Sequence, residues 1–182
     1  PIRALLSAGA FVPEVLTTAG TLDDLAHVSD VPFDLVASHS ALGRVGHVPR
    51  LFAQLARLTR PGGQGVHLID YRDQRDPARP LEHMTMDAAA FQELFQQTDG
   101  RCGNRWRPCA LQLEAERAGF ELISDEALSL AEDAYLDDLL PRLHTDYRGL
   151  DRDGLRVLTG CMVMRKRQAL NTEYPTEEDH PQ

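Results

Sequence analysis

Hydrophobic and polar positions follow two different periodicities along residues 33–165, and their alternation predicts an α/β domain. Phe33–Ser38 and 65–70 contain continuous apolar runs, which are typical of strands buried on both faces. Between them, apolar residues recur at spacings of three and four and predict a helix over residues 48–60: Val48, Leu51, Phe52, Leu55 and Leu58. Pro61-Gly62-Gly63 is expected to stop that helix.

The same patterns continue towards the end of the chain. They predict helices over residues 87–97, 108–118 and 128–143, and strands over residues 120–124 and 155–165. Strands that alternate with helices indicate an α/β fold with a mostly parallel sheet and helices on both faces. Residues 168–182 are acidic, Pro-rich and poor in apolar side chains, which predicts a disordered tail after a domain over residues 1–167.

Polar side chains follow the first two of these strands. In open α/β sheets, ligands bind beyond the carboxyl ends of the strands. Here those ends are Ser38-His39-Ser40 and Asp70-Tyr71-Arg72-Asp73, so we predict the functional site there. His67 lies inside the second strand and is expected to be a core histidine with its hydrogen bonds satisfied.

Composition narrows the function classes. The 182 residues include 28 acidic and 19 basic side chains, a net charge of −9, which argues against nonspecific nucleic-acid binding. Three dispersed cysteines are typical of a reducing cytoplasm, and no apolar run reaches the ~18 residues of a membrane span. Cys102 and Cys109 have no further ligands at suitable spacing, so no metal site is predicted.

Taken in order, several segments resemble S-adenosylmethionine-dependent methyltransferases of the Rossmann-like class, types 11 and 12. Phe33-Asp34-Leu35-Val36 corresponds to the fourth strand of that family, and Arg60-Pro61-Gly62-Gly63 to the end of the helix that follows. His67-Leu68-Ile69-Asp70 corresponds to the fifth strand, and Ala118-Gly119-Phe120 leads into the next. The resemblance covers residues 14–166, is specific for the fold and much less so for the substrate.

The resemblance implies S-adenosylmethionine as cofactor and a set of residues around it. Asp24 and Leu25 would contact the adenine, with helix capping as the alternative role of Asp24. Ser38, His39 and Ser40 would border the methyl donor, or else simply cap the strand. His39 and Asp70 are the candidate catalytic residues, since either can orient the acceptor or take its proton.

A later part of the resemblance concerns the methyl acceptor. Ile69-Asp70-Tyr71-Arg72-Asp73 and Asn104-Arg105-Trp106-Arg107 match a subgroup of the family, and five of their polar residues would bind substrate: Arg72, Asp73, Asn104, Arg105 and Arg107. Such side chains suit a polar small molecule or a glycan, methylated on oxygen or nitrogen. Structural alternatives stay open. An Asp-Arg ion pair could shape the loop after Asp70. Asn104, Arg105 and Arg107 could pair with Asp70 and Asp73 across the site, or simply brace their own loop.

The sequence also departs from the family. It has no G-x-G-x-G motif, and Leu42-Gly43-Arg44-Val45 stands where Leu-Glu-His-Val is frequent. The chain is therefore interpreted either as the back two-thirds of a methyltransferase, inactive by itself, or as a degenerate relative that acts as a binding or assembly subunit. An exposed sheet edge would then favour a homo-oligomer.

Overall fold

The computed structural model describes residues 31–168, and these form one four-stranded sheet with helices packed against it. The strands are β1 (Phe33–His39), β2 (Thr59–Asp70), β3 (Phe120–Leu130) and β4 (Val157–Lys166). The helices are α1 (Val48–Leu58), α2 (Ala88–Gln97), α3 (Pro108–Arg117), α4 (Asp133–Leu139) and α5 (Arg152–Arg156). Single 3₁₀ turns occupy Leu42–Arg44, Glu82–Thr85, Leu140–Arg142 and Thr145–Tyr147.

The strand order is β1-β2-β4-β3. β1 pairs parallel to β2, whereas β4 pairs antiparallel to both β2 and β3. Three strands therefore run in one direction and β4 runs against them, and the predicted α/β sheet with flanking helices is confirmed. Among the described residues, β1 and β3 are the two edges of the sheet.

Two hydrophobic clusters hold this part of the chain together. The first packs α1 and α3 against one face of the sheet, around Phe52, Leu111, Phe120 and Met162. The second lies around α4 and α5 and includes Leu81, Met84, Leu136, Leu139 and Leu155. None of the helices in residues 31–168 is long and apolar enough to cross a membrane.

Several predicted boundaries differ from the observed ones, and β2 begins at Thr59 rather than at residue 65. α1 ends at Leu58, and Pro61-Gly62-Gly63 lies inside β2, where Gly62 has a φ of 77°. β3 continues to Leu130, because its later half pairs with β4, so the helix predicted from residue 128 begins only at Asp133. Residues 1–30 and 169–182, including the predicted acidic tail, lie outside the described residues.

Helix ends follow local chemistry. The imidazole of His47 accepts a hydrogen bond from the backbone N–H of Arg50 at 3.1 Å and caps α1. Asp87 caps α2 by accepting from the N–H of Ala90 at 2.8 Å, and Asp151 caps α5 by accepting from Gly154. Pro108 begins α3, since the first position of a helix needs no N–H donor.

Candidate functional site

The segments that follow β1 and β2 meet at the carboxyl edge of the sheet. Ser40 turns the chain with a φ of 55°, and its N–H donates to the carbonyl of Leu68 at 2.7 Å. The 3₁₀ turn after it packs directly on the end of β2: a Cβ placed on Gly43 would lie 2.0 Å from the carbonyl oxygen of Asp70. Only glycine permits that approach, so the turn and the strand end are fixed side by side.

A cavity of about 230 Å³ opens at this edge. Four of the predicted site residues line it: His39, Ser40, Asp70 and Arg72. β3 and β4 complete the wall with Leu128, Thr159 and Gly160. We call this space the strand-end cavity.

Asp70 and Arg72 form a two-point ion pair in the wall of the strand-end cavity. Arg72 Nε and Nη2 each donate to one carboxylate oxygen of Asp70 at 2.8 Å, while the Arg72 N–H and Gln74 Nε2 donate at 3.1 Å. Burial alone would raise the pKa of Asp70, but these hydrogen bonds and the positive charge of Arg72 lower the pKa below its usual 3.8. Asp70 is therefore a fixed carboxylate that orients Arg72. This contact is the Asp-Arg ion pair that the sequence offered as an alternative, one that shapes the loop after β2.

Asp73 has a different environment. Its carboxylate is 2% exposed and accepts two hydrogen bonds from Arg75 Nε and one from the Arg75 N–H at 2.9–3.1 Å. The Asp73 N–H donates to the carbonyl of Pro80 at 2.7 Å. Asp73 thus closes the loop after β2 and does not line the strand-end cavity.

The last two residues of β1 and the residue that follows them have different partners. Ser38 Oγ lies 2.8 Å from Nδ1 of His67, which is fully buried, whereas the exposed His39 contacts the hydroxyl of Ser40 at 3.3 Å through Nδ1. His67 Nε2 has no hydrogen-bond partner within residues 31–168, so there the expected core histidine is satisfied on one side only. Burial lowers the pKa of His67 to about 4, and the ring is neutral at physiological pH.

Asn104 and Arg107 brace the chain. Asn104 Nδ2 donates to the carbonyls of Leu42 at 2.7 Å and Val45 at 3.0 Å. Arg107 is fully buried and donates to the carbonyls of Tyr71 at 3.4 Å and Leu155 at 2.7 Å, and also to those of Gly154 and Val157. Neither side chain pairs with Asp70 or Asp73, whose partners are Arg72 and Arg75, so that suggested pairing is wrong. Their substrate contacts stay a prediction.

Arg105 lies on the wall of a second cavity of about 460 Å³. Its guanidinium carbon stands 3.8 Å from the ring centroid of Phe91 and 5.3 Å from that of Tyr147. One N–H donates to the carbonyl of Met86 at 2.8 Å. We call this space the Arg105 cavity.

Sequence reasoning missed the contributions of β3 and β4 to the strand-end cavity. Thr159 pairs across the sheet with Asp70, and Gly160 with Ile69. These contacts join residues about 90 positions apart in the chain, and no local pattern indicates them. In the sequence, Gly43 is visible only as a departure from the family pattern, although the close approach to Asp70 is what requires glycine there.

Comparison with known proteins shows the fold. No protein-family model matches the sequence, and no curated protein sequence matches it either. The chain is similar in structure to a protein from Galdieria sulphuraria that is provisionally named a sarcosine dimethylglycine methyltransferase, with a TM-score of 0.52, 17% identity and 91% of this chain covered. The chain has the Rossmann-like fold of methyltransferases.

Two other similar structures are named as S-adenosylmethionine-dependent methyltransferases. The protein from Mesorhizobium loti gives a TM-score of 0.46 at 22% identity over 76% of this chain, and that from Methanosarcina mazei gives 0.48 at 13% identity over 77%. The chain spans 64% of the Galdieria protein, 63% of the Mesorhizobium protein and 62% of the Methanosarcina protein. Its methyltransferase fold therefore corresponds to part of the length of each.

The predicted adenine contacts cannot be placed relative to the strand-end cavity. Asp24 and Leu25, the candidate adenine contacts, lie outside the described residues. Within residues 31–168, no group of three or more His, Cys, Asp or Glu side chains is placed to hold a metal ion. Cys102, Cys109 and Cys161 are free thiols.

Proposed function

We propose that this protein transfers a methyl group from S-adenosylmethionine to an oxygen or nitrogen atom of a polar small molecule or a glycan. The observation that carries the proposal is the strand-end cavity: in a methyltransferase fold, the imidazole of His39 and the guanidinium of Arg72 line one space at the carboxyl edge of the sheet. The fold alone fixes no activity, so the argument rests on these side chains.

The described wall of the strand-end cavity fits the methyl-donating end of the cofactor. His39 Nε2 has no protein partner among residues 31–168, and Leu68 and Leu128 supply an apolar surface suited to the methyl group and the carbon atoms around the sulfonium. We assign the cofactor contacts to His39 and Ser40. The hydroxyl of Ser38 is held by His67 and contributes to the shape of the strand end instead.

When bound, S-adenosylmethionine supplies an electrophilic methyl group: a lone pair of the acceptor forms the new bond to carbon as the carbon–sulfur bond breaks, leaving S-adenosylhomocysteine. The acceptor must lose one proton if it is a hydroxyl or an ammonium group. His39 is the candidate base, because it lines the cavity and a neutral imidazole nitrogen can accept a proton.

Arg72 is the candidate for orienting the acceptor. Asp70 takes two of its five N–H donors in a two-point ion pair, which fixes the guanidinium plane and leaves three N–H groups for substrate oxygen atoms. Asp70 then acts as a positioning residue for Arg72. Orientation of this kind supplies much of the rate in a displacement reaction.

The test is calorimetric titration of the full-length protein with S-adenosylhomocysteine, followed by a methyl-transfer assay with labelled donor and a panel of hydroxyl and amino acceptors. We expect saturable binding that weakens about tenfold in His39→Ala, roughly the loss of one hydrogen-bonding contact. Arg72→Gln should keep product binding and lower methyl transfer at least tenfold.

Arg101→Gln is the matched control. Arg101 is exposed, contacts only the carbonyl of Thr98 among residues 31–168 through its side chain, and does not line the strand-end cavity. It should bind and transfer as the unaltered protein does. The proposal fails if the full-length protein does not bind S-adenosylhomocysteine, or if His39→Ala and Arg101→Gln behave alike.

One observation favours a second candidate, a non-catalytic module that binds a partner or a second copy. Within residues 31–168, Leu35, Leu68 and Leu128 remain 36–56% exposed on the sheet. Exposed apolar side chains of this kind frequently mark an interaction surface. Concentration-dependent dimerisation without any binding of S-adenosylhomocysteine would favour this second function over methyl transfer.

A further inference from the structure

The Arg105 cavity is larger than the strand-end cavity and shares no lining residue with it among residues 31–168. Asn104, on its wall, donates to the carbonyls of the turn after β1, and Arg107 donates to the carbonyl of Tyr71, the residue after Asp70. These hydrogen bonds join the wall of the Arg105 cavity to the segments that follow His39 and precede Arg72. Its volume, about 460 Å³, is within the range of small-molecule sites.

The arginines of this cavity differ from the other buried arginines of the chain. Six arginines in residues 31–168 are at least partly buried, and four of them pair with a carboxylate: Arg72, Arg79, Arg152 and Arg156. The other two, Arg105 and Arg107, form no ion pair within the described part of the chain, and both line this cavity. A buried cation without a counter-ion is costly, which an anionic ligand would relieve.

The guanidinium of Arg105 is held in place, but its hydrogen-bonding capacity is only partly used. Its guanidinium lies between the rings of Phe91 and Tyr147 and gives one hydrogen bond to Met86. The remaining four of its five N–H donors have no acceptor among residues 31–168. Its backbone φ of 63° is unfavourable for a side-chain-bearing residue, and such strain is concentrated at functional sites.

The other wall residues indicate the chemistry of the rest of an anionic ligand. Trp106, Tyr147 and Leu150 give an apolar, largely aromatic surface, while Asp146 contributes one negative charge that acts on Arg105. Two arginines and one aspartate give a net charge of +1 on the wall. This balance suits one carboxylate better than a dianionic phosphate or sulfate, and the aromatic surface suits a flat apolar body.

We propose that the Arg105 cavity binds a small aromatic carboxylate whose carboxylate group is held by Arg105. This inference goes beyond the proposed methyl transfer, and the cavity's preference for a carboxylate can be measured without the methyl donor. It names an anionic ligand for this cavity and disfavours a neutral sugar.

The experiment measures the binding of 4-hydroxybenzoate and of its neutral analogue 4-hydroxybenzamide to the full-length protein by calorimetry, with no donor present. We expect the carboxylate to bind at least tenfold more tightly, since charge-assisted hydrogen bonds are the strong ones. Arg105→Gln should remove that preference by weakening the carboxylate and leaving the amide unchanged. Arg101→Gln, with an exposed arginine four positions earlier, should keep it.

A second variant tests the location independently of Arg105. Leu150→Trp fills the cavity and should weaken both compounds at least tenfold while the unfolding midpoint stays close to that of the unaltered protein. The inference is overturned if the two compounds bind equally, if neither binds, or if Arg105→Gln keeps the preference. Carboxylate binding without binding of S-adenosylhomocysteine would uphold the cavity assignment and reject the proposed methyl transfer. Binding of S-adenosylhomocysteine without carboxylate binding would reject the cavity assignment and leave the proposed methyl transfer standing.

Discussion

His67 and His83 are fully buried histidines that make the stability of the protein depend on pH. Burial lowers the pKa of His67 from 6.5 to about 4; burial and the nearby arginines lower that of His83 to about 3. Both rings stay neutral in the folded state but take up a proton on unfolding below pH 6.5. Their contribution is complete above pH 6.5 and is lost as the pH falls towards 4.

We therefore expect the free energy of unfolding to fall by about 3 kcal/mol per histidine between pH 6.5 and pH 4, at 1.36 kcal/mol per pKa unit. Urea unfolding at a series of pH values measures it. His67→Gln and His83→Gln should each flatten the acid side of the profile. Ser38→Ala should keep the slope, because burial rather than the Ser38 hydrogen bond causes the shift at His67. An unchanged slope in both histidine variants would contradict the prediction.

At the scale of elements, the 3₁₀ turn Leu42–Arg44 and the end of β2 act as one unit. An alanine at position 43 would place its Cβ 2.0 Å from the carbonyl oxygen of Asp70, and backbone atoms cannot yield as a flexible side chain can. Gly43→Ala should therefore lower the free energy of unfolding by about 2–3 kcal/mol and separate the two walls of the strand-end cavity.

Gly149→Ala provides the control for that substitution. Apart from its two chain neighbours, no residue in the described range 31–168 comes within 4 Å of a Cβ at position 149, so the effect should stay within about 0.5 kcal/mol. Both values come from urea unfolding followed by circular dichroism. Equal stabilities of the two variants would show that the close approach of Gly43 to Asp70 does not constrain the fold.

The elements also show what the sequence could predict. β1 was predicted to within one residue and α1 to within two, because a short apolar run and a helical periodicity are local signals. The later half of β3 was missed because Ser124, Asp125 and Glu126 interrupt its apolar pattern. Pairing with β4 stabilises that half, and pairing between distant segments leaves no local periodicity.

Part of the candidate site could likewise be predicted from the sequence, and part could not. His39, Ser40, Asp70 and Arg72 were predictable, since the ends of parallel strands collect at one edge. The separation of Arg105 from Arg72 into two cavities was not predictable, because it depends on how residues 103–107 pack. Gly103, for example, lies where an added Cβ would be 2.8 Å from the carbonyl oxygen of Arg72.

At the scale of the whole molecule, one side chain joins the two hydrophobic clusters. Tyr71 belongs to the cluster under α1 and α3, and Leu155 belongs to the cluster around α4 and α5. Arg107 donates hydrogen bonds to the carbonyls of both residues. Because buried carbonyls are costly to leave unpaired, the arginine couples the stabilities of the two clusters.

This coupling predicts that Arg107→Met destabilises the two hydrophobic clusters unequally. The substitution preserves apolar bulk but leaves the carbonyls around α5 without a donor, so the free energy of unfolding should fall by about 3 kcal/mol. Hydrogen exchange followed by mass spectrometry should show faster exchange in residues 131–156, while α1 keeps its protection. Arg101→Met, at an exposed arginine, should change neither quantity. Uniform loss of protection in Arg107→Met would instead mean that the two clusters unfold as one unit whatever residue joins them.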